Sequence, residues 1–297
     1  MTFRTLPRLA AAGAIALTCT ITAPANAQSI TAIANGVCQG LDPTCYNDWG
    51  GRDPAANGYS VLIYSRVGET VTNPHANIAY GVQRLTELLE GADIKVTTSS
   101  DLADVQGPRQ LRAYDTVIFF NTQRDTLDSA AQMALRIYVE SGGGFVGIHN
   151  AFGTQYNWEW YRGLLGGTQL FDHGPNQPAT VTVVNAADAA TEGLPASFTV
   201  TDEFYNVFPD PQAVADINVL LAVDDSTRIA GTGGYNGHPG LYDGLHPLSW
   251  CHYYDGGRAF LTTLGHTEDI FDDANFRAHL LGGIESTMGR KPFCQGG

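Results

Sequence analysis

The chain has few basic residues. It holds 16 Lys and Arg against 30 Asp and Glu in 297 residues, which gives a formal net charge of −14. Nucleic-acid phosphates and anionic membrane surfaces repel so acidic a protein, so we expect neither a nucleic-acid nor a membrane partner. A high net charge also keeps a protein soluble, so the acidity can be explained without a charged ligand.

Several familiar catalytic signatures are missing. No Gly-x-Ser-x-Gly turn occurs, which argues against a serine hydrolase. Neither a dinucleotide-binding glycine fingerprint after the first predicted strand nor a P-loop occurs, so we expect neither NAD nor ATP as a cofactor. No His-x-His or His-Glu-x-x-His motif occurs, and a metal site would have to combine residues that are distant in sequence.

Only one apolar run has the features of a targeting segment. Arg4 and Arg8 precede an apolar stretch over residues 9–21, and Ala25-Asn26-Ala27 follows in small-x-small form. This pattern predicts a secretory signal peptide over residues 1–27, and the run is too short for a membrane anchor. We therefore expect a secreted or periplasmic protein.

The cysteines fit an exported chain. One of the five lies in the predicted signal peptide, and an even number of four remains. Such a set favours disulfides. Of the three pairings that four cysteines allow, we favour Cys38–Cys45 within an N-terminal leader (residues 28–58) together with Cys251–Cys294. No Cys-x-x-Cys pair occurs, so a zinc ribbon is not indicated.

From residue 59 to the end of the chain, short apolar runs alternate with amphipathic segments. This alternation predicts a single α/β domain with a doubly wound, mostly parallel sheet and helices on both faces. Ligands bind beyond the carboxyl ends of the strands in such sheets, and the pattern places His149 there. The predicted strands cover residues 59–65, 94–98, 114–121, 145–149, 179–184, 218–223, 247–254 and 258–264, and the predicted helices cover residues 77–89, 127–140 and 274–287.

Histidines and acids near strand ends supply candidate chemistry. His75, His149 and His266 each lie beside the end of a predicted strand, and Asp202-Glu203 precedes Tyr205. These groups could transfer protons, and the three histidines are also candidate ligands for a divalent metal ion. Adjacent side chains of a strand point in opposite directions, so we expect one of the two acids to reach a cleft. A histidine after a strand can equally be a structural hydrogen-bonding residue.

Aromatic residues are a second indication of a ligand-binding site. The segment "YNWEWYRG" mixes tryptophans and tyrosines with polar residues, and Trp250 lies in a later predicted strand. Secreted sugar-binding proteins stack such rings on pyranose faces. The alternative is that these rings only fill the hydrophobic core. We expect Trp158, Trp160 and Trp250 to line sugar subsites.

Taken in order, the motifs "YVESGGGFVGIHNAFG", "LFDHGPNQP", "TDEFYNV" and "HPLSWCHYYDGGRAFLTTLGHTEDIF" resemble the trehalose-utilisation, or ThuA-like, family. The likeness runs from about Ser60 to Gly289. It implies a flavodoxin-like sheet similar to that of class I glutamine amidotransferases. In those enzymes a Gly-Ile-Cys turn carries the nucleophile, and Gly147-Ile148-His149 takes its place here, which excludes thiolate chemistry at that position.

The resemblance also implies a set of site residues and a link to carbohydrate utilisation, including oxidised disaccharides. The matching positions are His75, His149, His173, Asp202, Glu203, Tyr205, His246 and His266. The chain departs from the family pattern at Gln155 and Tyr253, where the family often has Glu, and at Gly174, where it often has Pro. Two acids are thereby lost, and the substrate or mechanism can differ from that of its relatives.

We expect a carbohydrate-active enzyme that cleaves a glycosidic bond in a glycan or an oxidised oligosaccharide, by hydrolysis or elimination. A divalent metal ion is the one candidate cofactor, and the oligomeric state stays open. A noncatalytic glycan-binding module on the same fold and a structural protein of the envelope remain alternatives. The expected catalytic residues are His149, Asp202, Glu203, Tyr205 and His266, and the expected substrate-binding residues are His75, Asn150, Trp158, Trp160, His173, His246 and Trp250.

Overall fold

The computed structural model describes Asn47, residues 54–228, Tyr242 and residues 244–296. The predicted signal peptide, nearly all of the leader and the predicted Cys38–Cys45 pair lie outside these residues. Where the chain is described, no helix combines the length and the apolar character needed to cross a membrane.

A nine-stranded sheet with strand order β2-β1-β3-β4-β11-β10-β9-β6-β7 organises the described chain, and β5 pairs with β8 in a separate two-stranded ribbon. The strands are β1 (Ser60–Tyr64), β2 (Lys95–Ser99), β3 (Thr116–Phe120), β4 (Gly144–Ile148), β5 (Gln169–His173), β6 (Gln177–Val183), β7 (Ser197–Asp202), β8 (Tyr205–Phe208), β9 (Asn218–Val223), β10 (His246–Tyr254) and β11 (Gly257–Thr262). The α-helices are Pro54–Asn57, Ile78–Glu90, Pro108–Leu111, Ser129–Glu140, Glu159–Leu164, Pro211–Val214 and Ala274–Thr287.

The first five strands in this order form the parallel part of the sheet. The central strands β1, β3 and β4 are fully buried along their length. Strands covered on both faces have this continuous apolar character, because each side chain meets a layer of helices. The prediction of a doubly wound α/β domain with a mostly parallel sheet is confirmed.

Alternate residues of the parallel strands belong to two different hydrophobic clusters. Ile63 of β1 packs in one cluster with Leu85 of the helix Ile78–Glu90 and Leu280 of the helix Ala274–Thr287. Leu62 packs in the other cluster with Leu135 of the helix Ser129–Glu140. The two-residue period of the strand therefore places helices on both faces of the sheet.

The remaining strands β10, β9, β6 and β7 join by antiparallel pairing. The eight predicted strands are all present, whereas β5, β7 and β8 were not predicted. These three carry polar residues at several positions, as in "QLFDH" and "SFTVTD", so no apolar run marks them. A disulfide joins Cys251 of β10 to Cys294 with a Cα–Cα distance of 5.6 Å, as predicted.

Candidate active site

A pocket of about 420 Å³ opens at the carboxyl edge of the parallel strands. Its walls come from the loops that follow β1, β3, β4 and β11, and from the β5–β8 ribbon. This is the edge at which doubly wound sheets bind ligands, because the strand ends diverge there and leave a crevice. The described lining residues include His75, Gln123, Arg124, Asn150, Tyr156, His173, Glu203, Tyr205 and His266.

His149 follows β4 directly and is fully buried behind the lining residues. Its φ of 50° lies in the left-handed region, which costs energy for a residue with a Cβ and marks a turn fixed by its surroundings. Its Nδ1 lies 2.7 Å from the carbonyl oxygen of Thr263 and donates a hydrogen bond to it. The lone pair of the neutral ring is therefore on Nε2, which accepts a hydrogen bond from the Tyr205 hydroxyl at 2.8 Å.

Two histidines flank the Glu203 carboxylate. Oε1 lies 2.8 Å from Nδ1 of His173, and Oε2 lies 3.2 Å from Nδ1 of His266 and 3.9 Å from Nε2 of His149. Burial opposes ionisation of Glu203, but the hydrogen bonds from His173 and His266 outweigh it and hold its pKa well below the usual range. The same hydrogen bonds raise the pKa of both histidines.

The pKa values of the other two imidazoles, those of His75 and His149, are lowered. Burial, with the nearby His266, lowers the pKa of His75 to about 4. Burial also lowers the pKa of His149 well below its usual value, with the charge of His75 acting in the same direction. At neutral pH both rings are therefore neutral and can offer a lone pair.

His75, His149, Glu203 and His266 each have a ligand atom within 4.8 Å of those of the other three. Three imidazoles and a carboxylate suit Zn²⁺ and similar divalent ions. Two details fit a metal site. The hydrogen bond from His149 to Thr263 is of the kind that orients a metal-binding histidine. Among the described residues, Nδ1 of His75 is buried and has no hydrogen-bond partner.

A family model described as ThuA, trehalose utilisation, matches residues 60–286. The chain belongs to the ThuA family. Among curated proteins, none matches the chain.

Two solved ThuA-like proteins share the fold. A putative ThuA-like protein from Bacteroides uniformis is 24% identical with a TM-score of 0.64, over 76% of this chain and 90% of its own. One from Parabacteroides merdae is 17% identical with a TM-score of 0.60, over 80% of this chain and 92% of its own. At these identities the likeness to solved structures concerns the fold. The predicted resemblance to the ThuA-like family is confirmed by the family match over residues 60–286.

In this ThuA-family chain Asp202 does not line the pocket, although it adjoins Glu203. Its carboxylate is fully buried and accepts backbone N–H groups of Glu203 at 2.7 Å, Gly265 at 2.8 Å and His266 at 3.1 Å. Burial raises its pKa to about 6. The predicted catalytic acid instead ties together the two loops that carry Glu203 and His266.

His246 also lies outside the pocket. Its Nε2 lies 2.9 Å from the carbonyl oxygen of Tyr205, and its Nδ1 lies 2.9 Å from Oδ1 of Asp225. This arrangement supports the backbone that carries Tyr205 and leaves no ring nitrogen for a substrate. His246 is therefore placed to position Tyr205 rather than to bind sugar directly.

The three predicted tryptophans do not line the pocket either. Trp250 is fully buried and donates from Nε1 to the carbonyl oxygen of Leu165 at 3.1 Å, so it is a core residue. Trp158 and Trp160 stack on each other at 4.9 Å, and Trp160 donates to Asp255 at 2.7 Å. Direct sugar contact in this pocket is therefore not supported for these three rings, because none of them is among its described lining residues.

Sequence reasoning missed the loop that follows β3. Gln123 and Arg124 line the pocket, and Tyr156 lies beside them. Asn121 at the start of this loop donates to Asn77 at 2.9 Å, and Asn77 donates to the carbonyl oxygen of Gly265 at 2.8 Å. The available signal was the polar run "NTQR" directly after a buried strand, which lies at the same sheet edge as His149.

Proposed function

We propose that this ThuA-family protein is a secreted, metal-dependent carbohydrate-active enzyme that cleaves a glycosidic bond in a glycan or an oxidised oligosaccharide, by hydrolysis or elimination. The observation that carries the proposal is the cluster of His75, His149, Glu203 and His266 beside a pocket of about 420 Å³. A divalent ion held there would polarise a substrate oxygen or lower the pKa of a bound water.

The acid content of the pocket favours this chemistry over a two-carboxylate mechanism. A typical glycosidase places two carboxyl groups about 5–10 Å apart across the scissile bond. Of the described lining residues, Glu203 alone carries a carboxylate. Asp202 is committed to three backbone N–H groups. The reaction would therefore depend on histidine, tyrosine and a metal ion.

Tyr205 is the proposed hydrogen-bond donor to the substrate, and His173 is the proposed proton-transfer group. Burial raises the pKa of Tyr205 well above its usual value, so its hydroxyl stays protonated and can donate a hydrogen bond to a substrate oxygen. His173 lies on the ribbon at the pocket wall, and its hydrogen bond to Glu203 raises its pKa. It could carry protons between the pocket and solvent.

Export is supported by two features. The first is the signal-peptide pattern at residues 1–27. The second is the Cys251–Cys294 disulfide, because disulfides persist in oxidising compartments.

The test is a screen of plant and bacterial oligosaccharides, native and oxidised, with the mature protein loaded with Zn²⁺, Mn²⁺ or Co²⁺. Mass spectrometry of the products would show a gain of water for hydrolysis and an unsaturated product for elimination. We expect Glu203→Gln and Tyr205→Phe to lower turnover by at least about 100-fold. Glu192→Gln is the matched control, since Glu192 is a surface carboxylate paired with Lys291.

The outcomes separate the competing functions. Glycan binding without turnover under any of these metals would reject catalysis and leave a noncatalytic binding module. Neither binding nor turnover would reject a carbohydrate ligand altogether. Equal losses of turnover in Glu203→Gln and Glu192→Gln would mean that the Glu203 carboxylate affects only the stability of the protein. This result would contradict the assigned site.

A further inference from the structure

Arg124 differs from most of the arginines that the structure describes. It is exposed at the pocket, and among the described lining residues it alone carries a fixed positive charge. Its guanidinium makes no ion pair with any described residue. Six other arginines each lie within ion-pair distance of a carboxylate, namely Arg66, Arg84, Arg136, Arg162, Arg228 and Arg290. In a chain with a net charge of −14, an unpaired guanidinium at a pocket is available to a negatively charged ligand.

The position of Arg124 is fixed on two sides. Its N–H donates to the carbonyl oxygen of Gly153 at 2.9 Å, and its carbonyl oxygen accepts the N–H of Gln155 at 3.0 Å. These bonds hold it at a φ of 64°, a left-handed conformation that a residue with a Cβ adopts only when its surroundings impose it. The backbone therefore places the arginine side chain at the pocket instead of leaving it free in a loop.

The guanidinium packs on an immobilised aromatic ring. Its central carbon lies 5.3 Å from the ring centre of Tyr156. The Tyr156 hydroxyl donates to the carbonyl oxygen of Leu170 at 3.0 Å, which fixes the ring. Stacking on an aromatic face restricts the guanidinium while its N–H groups stay free to bind a ligand.

Asn150 provides an independent indication of a ligand. It is 3% exposed, it lines the same pocket, and its buried Nδ2 has no hydrogen-bond partner among the described residues. A buried N–H group without an acceptor is costly, and such groups in native proteins usually have a partner. Gly153 makes room for this amide, since a Cβ there would lie 2.1 Å from Oδ1 of Asn150.

We propose that Arg124 and Asn150 bind a negatively charged group on a sugar, so that the ligand of this pocket is an acidic glycan. A guanidinium fork and an amide N–H match the oxygens of a uronate carboxylate, and a sulfate or phosphate ester offers the same acceptor chemistry. Cleavage of this glycan rests on the function proposed above, whereas the preference for an acidic ligand does not.

The test compares the affinities of one oligosaccharide in charged and neutral forms. Calorimetry would measure binding of an oligogalacturonate and of its methyl ester to the mature, metal-loaded protein. We expect the wild type to prefer the acid by at least about tenfold, as a charge-assisted hydrogen-bonded pair provides, and the preference to weaken with added salt. Sulfated and phosphorylated oligosaccharides measured in parallel would identify which anion is bound.

Arg124→Gln should abolish the preference, because it lowers the affinity for the acid far more than the affinity for the ester. Arg124→Lys should retain part of the preference, because it keeps the charge and loses the fork. Arg109→Gln is the matched control, since Arg109 is an exposed arginine outside the pocket. Thermal unfolding of each variant would verify that it folds.

Two results would overturn the inference: equal wild-type affinity for acid and ester, or a preference that survives Arg124→Gln. Its failure is distinct from failure of the proposed function. An Arg124-dependent acidic glycan that is never cleaved would reject the enzyme and keep the anion subsite. Cleavage that does not depend on the charge of the glycan would keep the enzyme and reject the anion subsite.

Discussion

Two buried histidines, His149 and His279, have the same burial and the same kind of hydrogen bond at Nδ1, but they differ in the partners of Nε2. Both are fully buried, and in each ring Nδ1 hydrogen-bonds a backbone carbonyl oxygen, that of Thr263 at 2.7 Å and that of Ala190 at 2.8 Å. The difference lies at Nε2. In His279 it contacts the Ser249 hydroxyl at 2.8 Å within the core, whereas in His149 it contacts the Tyr205 hydroxyl and faces Glu203 and His266.

Burial and pKa therefore do not separate a candidate catalytic histidine from a structural one. Burial lowers the pKa of His279 to about 4 and lowers the pKa of His149 as well, so both rings are neutral near pH 7. What separates them is whether Nε2 reaches a polar cluster beside a pocket. In His279 both nitrogens serve the packing of the helix Ala274–Thr287.

The largest expected effect comes from exchanging each of these histidines for glutamine. His149→Gln should lower turnover by at least about 1000-fold and weaken metal binding, because it removes the Nε2 lone pair from the cluster. His279→Gln should lower the free energy of unfolding by about 2–4 kcal/mol, because it disrupts two buried hydrogen bonds. Turnover and metal content per folded molecule should stay within about twofold of wild type in this second variant.

Steady-state kinetics, elemental analysis and urea unfolding would measure these quantities on both variants. Loss of metal in folded His279→Gln, or full metal content in His149→Gln, would contradict the distinction between the two rings.

The next effect is a pH dependence of metal binding. The hydrogen bond to Glu203 raises the pKa of His266, so a proton competes with the metal for this ring. Glu203, His75 and His149 do not contribute near neutral pH, since their pKa values are all lowered and none of them changes charge there. Affinity for Zn²⁺ should therefore rise by about tenfold per pH unit until the pH passes the raised pKa of His266.

In the metal-free protein, the stability that comes from the pairing of His173 and His266 with Glu203 should fall as the pH rises. The raised pKa values of His173 and His266 mean that their pairing with Glu203 stabilises the fold below the ordinary histidine pKa of about 6.5. This stabilisation is lost as the pH rises through the raised values. Competition titrations with a chelator at several pH values would measure the Zn²⁺ affinity, and urea unfolding of the metal-free protein at the same pH values would measure its stability. A pH-independent affinity between pH 5.5 and pH 7.5 would count against His266 as a ligand.

The smallest effect is expected for His246→Gln. Its ring holds the backbone of Tyr205 from outside the pocket, so the substitution should lower kcat by about threefold to tenfold with KM and metal content unchanged. A glutamine can keep one of the two hydrogen bonds, which limits the loss. Turnover equal to that of wild type would mean that Tyr205 does not depend on this contact, and a loss of metal would place His246 closer to the cluster than its hydrogen bonds indicate.

Much of the architecture could be predicted from local patterns. The fully buried runs of β1, β3 and β4 are apolar without interruption, and the amphipathic helices between them require a sheet covered on both faces. The ribbon strands β5 and β8 could not be predicted, because they are short and half polar. The loop with Arg124 was missed although the polar run "NTQR" follows a buried strand, because nothing local shows which of its side chains faces the pocket.

The neighbouring acids Asp202 and Glu203 show where sequence reasoning stops. The alternation of side chains predicted that one of them would reach a cleft, but it could not predict which one. The choice depends on the backbone N–H groups of Gly265 and His266, which lie more than sixty positions along the chain and close around Asp202.

By itself, the sequence determined the parallel strands and the sheet edge that carries His149. These two features follow from periodicity and from the rule that strand ends form the binding edge. The even cysteine count predicted disulfides and left three pairings open, and the structure selects Cys251–Cys294. Only the tertiary structure decided which histidines share a site, because His149 and His266 are separated by 117 residues and meet at 3.3 Å through the parallel pairing of β4 with β11. It also decided the direction of each pKa shift, since burial and charged neighbours are properties of the folded chain.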